Sequence, residues 1–471
     1  MREEAAAPPP ASGVWASLRD AVRGTRQSYT DGPIGRAIVL LAVPMVLEMS
    51  MESVFAVMDV FFVSRLGAAA VATVGLTESL LVVVYTMAMG LSIGVTATVA
   101  RRIGEGDADG AARTAVQGIV LGVLAAAIIA GVGVPLAPRL LGAMGAAPDV
   151  IAAGSRYAAI VLGGNGVIVL LFLINAVFRG AGDAVVSMRV LAVANALNIV
   201  LGPCFIFGLG PFPRLGVTGA AVATTIGRGS GVLLQLYLLT QRNGRIRVRR
   251  RHVHLDFPLM WRLLRLSASG IVQVLIGSAS WIGLVRVIAS FGSFAVAGYT
   301  IGMRVILFAL LPSFGMANAA ATMVGQALGA GKPDRAERAV WQAGRYNMVF
   351  LTTIGIVFFV AARLIVGIFT SDPAITPHAV ACLRIVSVGF PFYAFGMVLT
   401  QSFNGAGDTW TPTLMNLGCF WLWEIPLAWL LSSRFALGPA GVFTAIALAF
   451  STLAVVSAIL FRRGTWKRQR V

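Results

Sequence analysis

Five carboxylates sit inside long apolar stretches of this chain: Glu48, Glu52, Asp59, Glu78 and Glu424. A negative charge in such a stretch costs several kcal/mol if the stretch crosses a membrane. Each therefore needs a partner, water or a proton. Glu48, Glu52 and Asp59 fall on one predicted helix. At about 100° per residue they lie within roughly 40° of one another, on a single face. Helical rise puts Glu52 and Glu78 about 16 Å and about 12 Å below the same surface, so they can meet between the first two helices. Carboxylates crowded in a low dielectric cannot all ionise cheaply, and they titrate as a coupled set. This is chemistry for holding protons or a cation. The bland alternative is a set of neutral, hydrogen-bonded acids that glue helices together. It weighs most for Glu48.

Nearby polar residues are candidates to complete a cavity. Asn175 ends the fourth predicted helix, and Asn195 and Asn198 share a face of the fifth at i, i+3 spacing. Amides also glue membrane helices, which is their competing role. Glu424 lies mid-helix between Trp423 and Pro426. Pro426 frees a backbone carbonyl there, which makes a local polar pocket.

No catalytic motif is present: no GxxxxGK[ST], HExxH or GxSxG. The GAGD segments at 180–183 and 405–408 read as tight turns with Asp183 or Asp408 capping the next helix. Cys204, Cys382 and Cys419 lie scattered in apolar runs, with no disulfide framework and no metal spacing. His252 and His254 read as part of a solvated loop. The sequence thus points to no enzyme and no cofactor beyond a coupled H⁺ or Na⁺.

These residues must be held by helices in a bilayer. Charged residues make up 12% of the chain and hydrophobic ones 58%, with mean hydropathy +0.84. Soluble proteins carry about 25% charged residues. The apolar runs are long enough to span a ~30 Å hydrocarbon core as helices, and they lack the alternation of a barrel. The spacing predicts helices near 37–62, 70–98, 114–134, 154–178, 187–208 and 217–240, then 266–290, 295–325, 346–369, 378–402, 413–432 and 440–462. The net charge of +18 belongs to short connectors, where topology explains it better than nucleic acid. Arg101, Arg102, Arg113, Arg179 and Arg189, the cluster from Arg242 to Arg251, Lys332, Arg335, Arg338 and Arg345 fall on one side. With the basic tail they place both termini in the cytoplasm. Residues 14–29, with Trp15, Leu18 and Val22, read as an interfacial helix or a disordered tail.

The chain repeats itself. RLGAAAVATVGL at 65–76 resembles SFGSFAVAGYTI at 290–301, RRIGEGD at 101–107 resembles QALGAGK at 326–332, and FRGAGD at 178–183 resembles FNGAGD at 403–408, each at an offset of 225. LGVTGA at 215–220 resembles LGPAGV at 437–442 at an offset of 222. The expected fold is an all-α integral membrane protein: about twelve spans in two parallel-repeat six-helix bundles around a central cleft. The divisions are a leader (1–36), a first lobe (37–240), a basic linker (241–262), a second lobe (263–462) and a basic tail (463–471). The halves differ at the acids. Glu48 maps to Gln273, Glu52 to Gly277, Asp59 to Leu284 and Glu78 to Met303. The chemistry is concentrated in the first half, with Gln273 a cavity candidate.

Pro44, DVFFVSRLG at 59–67, ARRIGEGD at 100–107, FRGAGD at 178–183, NALNIVLGPCFIFG at 195–208, VGQALGAG at 324–331 and FNGAGD at 403–408 resemble the multidrug and toxic compound extrusion (MATE) family, in its DinF-like prokaryotic form. The resemblance covers about residues 37–465. It implies an inner-membrane antiporter that expels small amphipathic cations while H⁺ or Na⁺ flows in, working as a monomer. It also implies that Asp59 is the ion-linked acid, that Pro44 bends the first helix, and that Asn175 and Asn198 line the cavity. Relatives often carry an Asp four residues after the helix-5 Asn. Here that position is Gly202, so Glu52 or Glu78 is left to partner Asp59. Two other readings remain: a flippase for a lipid-linked precursor, using Arg228, Arg286 and Arg304 for a diphosphate, and a membrane-embedded transferase, for which no acidic metal motif is seen.

Overall fold

A computed structural model describes residues 14–24, 28–241 and 244–469. The start of the leader, Arg26, Arg242 and Arg470 lie outside them. Among the described residues there is no strand. The elements are α1 (Val14–Arg23), α2 (Ile34–Ser64), α3 (Ala68–Gly104), α4 (Ala108–Ala143), α5 (Pro148–Gly163), α6 (Asn165–Gly180), α7 (Ala184–Phe207) and α8 (Val217–Thr240). A second series follows: α9 (Phe257–Ala289), α10 (Ser293–Gly329), α11 (Pro333–Gly367), α12 (Thr376–Val388), α13 (Phe390–Ala406), α14 (Trp410–Asn416), α15 (Ile425–Trp429) and α16 (Pro439–Arg462). Between α14 and α15, Leu417–Glu424 winds as a π-helix, and Leu430–Arg434 does so again after α15.

The repeat is built into the helix ends. α3 and α10 are each 37 residues long and start 225 residues apart. Gly67 and Gly292 precede them at φ of 100° and 96°, a conformation that a side chain resists. Gly164 separates α5 from α6, and Gly389, at the same offset, separates α12 from α13. The second break bends the pair by 57°. Among the described residues, ten helices are long and apolar enough to cross a membrane, and the bent pair makes an eleventh if counted as one span. α8 falls outside that set, because Arg228 and Gln235 interrupt it. It is nevertheless the repeat counterpart of α16.

One expected division shifts, and two segments expected in solvent are packed. The linker ends at Asp256, which caps α9 by accepting from the Leu259 amide, so residues 257–262 belong to the second bundle. His252 is buried, and its ring nitrogen sits 3.1 Å from an Asp109 carboxylate oxygen, so it is packed rather than solvated. The tail is anchored as well. Trp466 is fully buried and stacks on Phe461, and the Lys467 ammonium lies 2.6 Å from Glu337. α1 is the helix foreseen near 14–29, with Trp15 85% exposed on one side and Ala21 buried on the other.

Each bundle has its own apolar core, but α2 belongs to both. Ala37, Ile38, Leu41 and Met45 are packed in the second bundle's core, whereas Met51 packs in the first. Pro44 lies on the second bundle's side of the crossover, one residue before Met45. The bundles press together toward the face where the described chain ends lie, the terminal face. There a Cβ on Gly104 would strike the Gln326 carbonyl, and one on Gly90 would strike Ile271. Gly75 on α3 and Gly277 on α9, farther from that face, have nothing within 4 Å of a built Cβ. The lobes have no such close approach there, and that half is the splayed one in this sense.

Candidate functional site

The acidic face of α2 is real, and arginines answer most of it. Glu48 is fully buried and accepts from the Arg179 guanidinium on α6 at 2.9 Å. Arg179 was expected in a connector. Instead α6 runs on to Gly180 and carries it inside, 8% exposed. One turn along, Glu52 accepts from Arg228 of α8 at 2.7 Å. Arg228 is 3% exposed, and its guanidinium carbon lies 4.6 Å from the centre of the Phe55 ring. Glu52 is thus turned to α8 instead of meeting Glu78 between the first two helices.

Asp59 differs. It makes no ion pair or hydrogen bond with any described residue; its charge neighbours are Glu78 and Arg228. Glu78 lies exposed on α3, where its charge neighbour is Arg304 of α10, across the opening between the lobes. The phenols of Tyr85 and Tyr157 are within electrostatic reach of Asp59 and Glu78. The result is a polar cluster in the first bundle whose acid stripe is neutralised at Glu48 and Glu52 and unpaired at Asp59. By helical rise Asp59 lies about 8 Å from the end of α2.

The amides divide. Asn198 donates to the Thr224 hydroxyl at 3.1 Å, and Asn195 donates to the Met51 carbonyl at 2.9 Å. Both tie α7 to its neighbours beside the acid stripe. Asn175 accepts from Gln235 at 2.5 Å deep in the first bundle. That pair joins α6 to α8, which is the gluing role. Gln273 is 6% exposed on α9, and its carbonyl oxygen has no partner. Glu424 is 2% exposed in the second bundle and stands apart from the α2 acids. Asp408 caps α14 by accepting from the Thr411 amide, as expected. Asp183 makes no side-chain cap on α7.

The sequence pattern of the MatE family matches residues 44–204 and 270–430, two equal stretches that begin at Pro44 and reach past Glu424. The chain belongs to the MatE family. It is therefore a membrane transporter and not an enzyme. A relative from Thermotoga maritima, described as a probable multidrug resistance protein NorM, is 26% identical over 93% of this chain and 94% of its own length. A relative from Shewanella oneidensis, described as an FAD transporter, is 25% identical over 86% of this chain and 89% of its own. Among solved structures, the outward-facing conformation of a multidrug resistance MATE family transporter superposes with a TM-score of 0.87 at 27% identity. It covers 93% of this chain and 98% of that one.

Within the MatE frame, the sequence pointed to the acids and missed what answers them. Arg179, Tyr85, Tyr157 and Gln235 were not candidates for the site, and Arg228 was named only as a cation for the diphosphate of a flippase cargo. An intramembrane Arg carries a signal of its own, since it needs a carboxylate partner, but that signal does not say which of the acids answers it.

Proposed function

We propose that this protein exports small amphipathic organic cations in exchange for H⁺ or Na⁺, with Asp59 as the coupling carboxylate. The observation that carries the reading is the unpaired state of Asp59 on a helix whose other acids hold arginines. Glu48 and Glu52 are neutralised by salt bridges, so a passing cation or proton finds its free charge at Asp59. With the termini in the cytoplasm, as the basic connectors suggest, the splayed half opens outward. An ion entering from outside neutralises Asp59 and releases the cation. Losing that ion to the cytoplasm, once the lobes rock, restores affinity.

The flippase reading needs free basic groups for a diphosphate. Arg228 is held by Glu52 and Phe55, Arg304 faces Glu78, and Arg286 lies exposed on α9. The charge balance therefore supports a cationic cargo. The Shewanella relative's description brings a flavin dinucleotide into the test as a competitor.

The experiment uses proteoliposomes loaded with a fluorescent organic cation, with a pH or a Na⁺ gradient imposed in turn. Efflux driven by one gradient and abolished in Asp59→Asn is the expected result. Normal efflux in Asp59→Asn would sink the assignment. Inhibition by FAD, with no cation movement under either gradient, would transfer the cargo to the flavin class.

A further inference from the structure

The end of the basic linker is pinned to α4 in a way that turns apolar side chains outward. Gln117 of α4 is fully buried, and both ends of its amide hold the linker. The nitrogen donates to the His254 carbonyl at 2.7 Å, and the oxygen accepts from the Asp256 amide at 3.3 Å. At the start of α4, Asp109 accepts from Arg251 at 2.6 Å and sits 3.1 Å from the His252 ring. Residues 251–256 are therefore fixed along α4. His252 is turned in, while Val253 and Leu255 are exposed. The first turns of α9 continue the pattern. Phe257, Trp261 and Leu264 are exposed, and at i, i+4 and i+7 they share one stripe. Leu259 and Leu263 are buried on the other side. Arg262 and Arg265 border the stripe and are exposed, and neither makes an ion pair or hydrogen bond with a described residue. The nearest acids in sequence and along α4 are already engaged, Asp256 by the Leu259 amide and Asp109 by Arg251.

Two helices set the depth of this surface. In α9, residues 266–285 hold no Asp, Glu, Lys or Arg. As a helix that run matches a ~30 Å hydrocarbon core, so on the terminal side the core ends beside Arg265. α4 also starts at the terminal face. Its own charge-free run begins at Thr114, just after Arg113, and Gln117 grips residues 254 and 256 one turn inside that limit. Measured on α4, the edge of the core lies near the end of the linker; measured on α9, it lies at Arg265. The stripe and its two arginines fall between these limits, at the level of the lipid headgroups. There an apolar ring enters the acyl boundary, and an arginine lays its stem along it while the guanidinium reaches for phosphate.

We propose that residues 253–265 form a docking surface for anionic phospholipid. Phe257, Trp261 and Leu264 pack against the acyl chains, and Arg262 and Arg265 take the phosphodiester of the headgroup. A zwitterionic headgroup brings its own cation beside the same phosphate, so two arginines without acidic partners favour the lipid of net negative charge. The grip of Gln117 and Asp109 keeps the linker end from folding over the stripe. The surface requires neither the cargo nor the coupling ion of the antiport reading.

The test uses the full-length protein with Cys204, Cys382 and Cys419 replaced and a bimane label at Ala268→Cys, an exposed position one turn beyond Leu264. It is reconstituted in vesicles of phosphatidylcholine and phosphatidylglycerol, with one lipid or the other carrying brominated acyl chains. At equal mole fraction, brominated phosphatidylglycerol is expected to quench the label several-fold more than brominated phosphatidylcholine. Arg262→Gln with Arg265→Gln should bring the two lipids level. Arg338→Gln with Arg345→Gln, which removes two exposed arginines from α11, should leave the preference intact. Equal quenching in the parent protein, a preference that survives loss of Arg262 and Arg265, or an equal fall in both double variants would overturn the proposal. Quenching by neither lipid would mean that protein covers the stripe, and would overturn it as well. If the Arg262 and Arg265 variant does not fold, KCl at about 1 M decides, because it screens exposed charges beyond about 3 Å; a preference unchanged by that salt rejects the anionic headgroup. None of these readings requires transport, so failure of the antiport reading leaves them unaffected.

Discussion

Glu48 and Arg179 bury opposite charges where neither can reach water. The attraction between them offsets a desolvation cost that each would carry alone. Removing one partner leaves the other stranded, at about 3–5 kcal/mol. Arg179→Met is expected to lower the melting temperature in detergent sharply, and Glu48→Gln combined with Arg179→Met to recover most of the loss. If the double variant is as unstable as the sum of the singles, the two side chains do not act as a pair. The Arg228–Glu52 pair leaves Glu52 partly accessible, with a side-chain exposure of 20%, so its removal should disturb transport more than folding. Neither pair was legible in the sequence. Their members stand 131 and 176 residues apart, and no local period links them. The acids themselves were legible, because charge inside an apolar run stands out without any knowledge of the fold.

Helices were legible for the same reason, apart from where they break. The runs gave α8 its limits, yet the stop at Gly389 and the π turns within Leu417–Arg434 leave no mark in hydropathy, since apolar residues continue through them, and the GGNG at 163–166 is too short to interrupt the run around Gly164. The leader also hid a function for its last residues. The Tyr29 hydroxyl donates to the Gly182 carbonyl in the first bundle at 3.0 Å, while Arg335 of the second bundle donates to the carbonyls of Tyr29, Asp31 and Gly32. Residues 28–32 therefore strap the two bundles together at the terminal face. Arg335→Ala is expected to release the strap, seen as faster hydrogen exchange in residues 28–32 and in the 180–183 turn. Unchanged exchange would mean that the strap is held by α2 alone. The Lys332 ammonium, 2.5 Å from Asp31, holds that carboxyl below the usual range. A depressed carboxylate stabilises the strap fully above its ordinary pKa and loses that contribution as pH falls through the lowered value. Strap exchange should thus rise in acid in the wild type, and this acid step should be absent in Asp31→Asn.

At the scale of the molecule, the constant 225-residue offset made the two-bundle architecture legible. It could not reveal that α2 passes from the second bundle's core to the first's between Met45 and Met51, because a repeat describes likeness and not contact. That crossover matters for mechanism. The helix that carries Asp59 has its first half fixed to one lobe and its acidic half to the other, so any rocking of the lobes moves the coupling acid relative to the second bundle. Small residues along the terminal half let α3 approach α9 and α10 closely, and Gly75 and Gly277 in the other half have no such neighbour. Rocking therefore predicts opposite changes at the two ends. With Cys204, Cys382 and Cys419 replaced, spin labels at Gly75→Cys and Gly277→Cys report the splayed half, and labels at Ala108→Cys and Arg338→Cys report the terminal face. Under an inward proton or sodium gradient plus cargo, the first distance should shorten while the second lengthens, with both states present in varying proportion. A change at one end alone would indicate local bending of α2 at Pro44 in place of a rocking lobe. In that case Pro44→Ala should abolish the change, whereas a rigid-lobe motion should survive it.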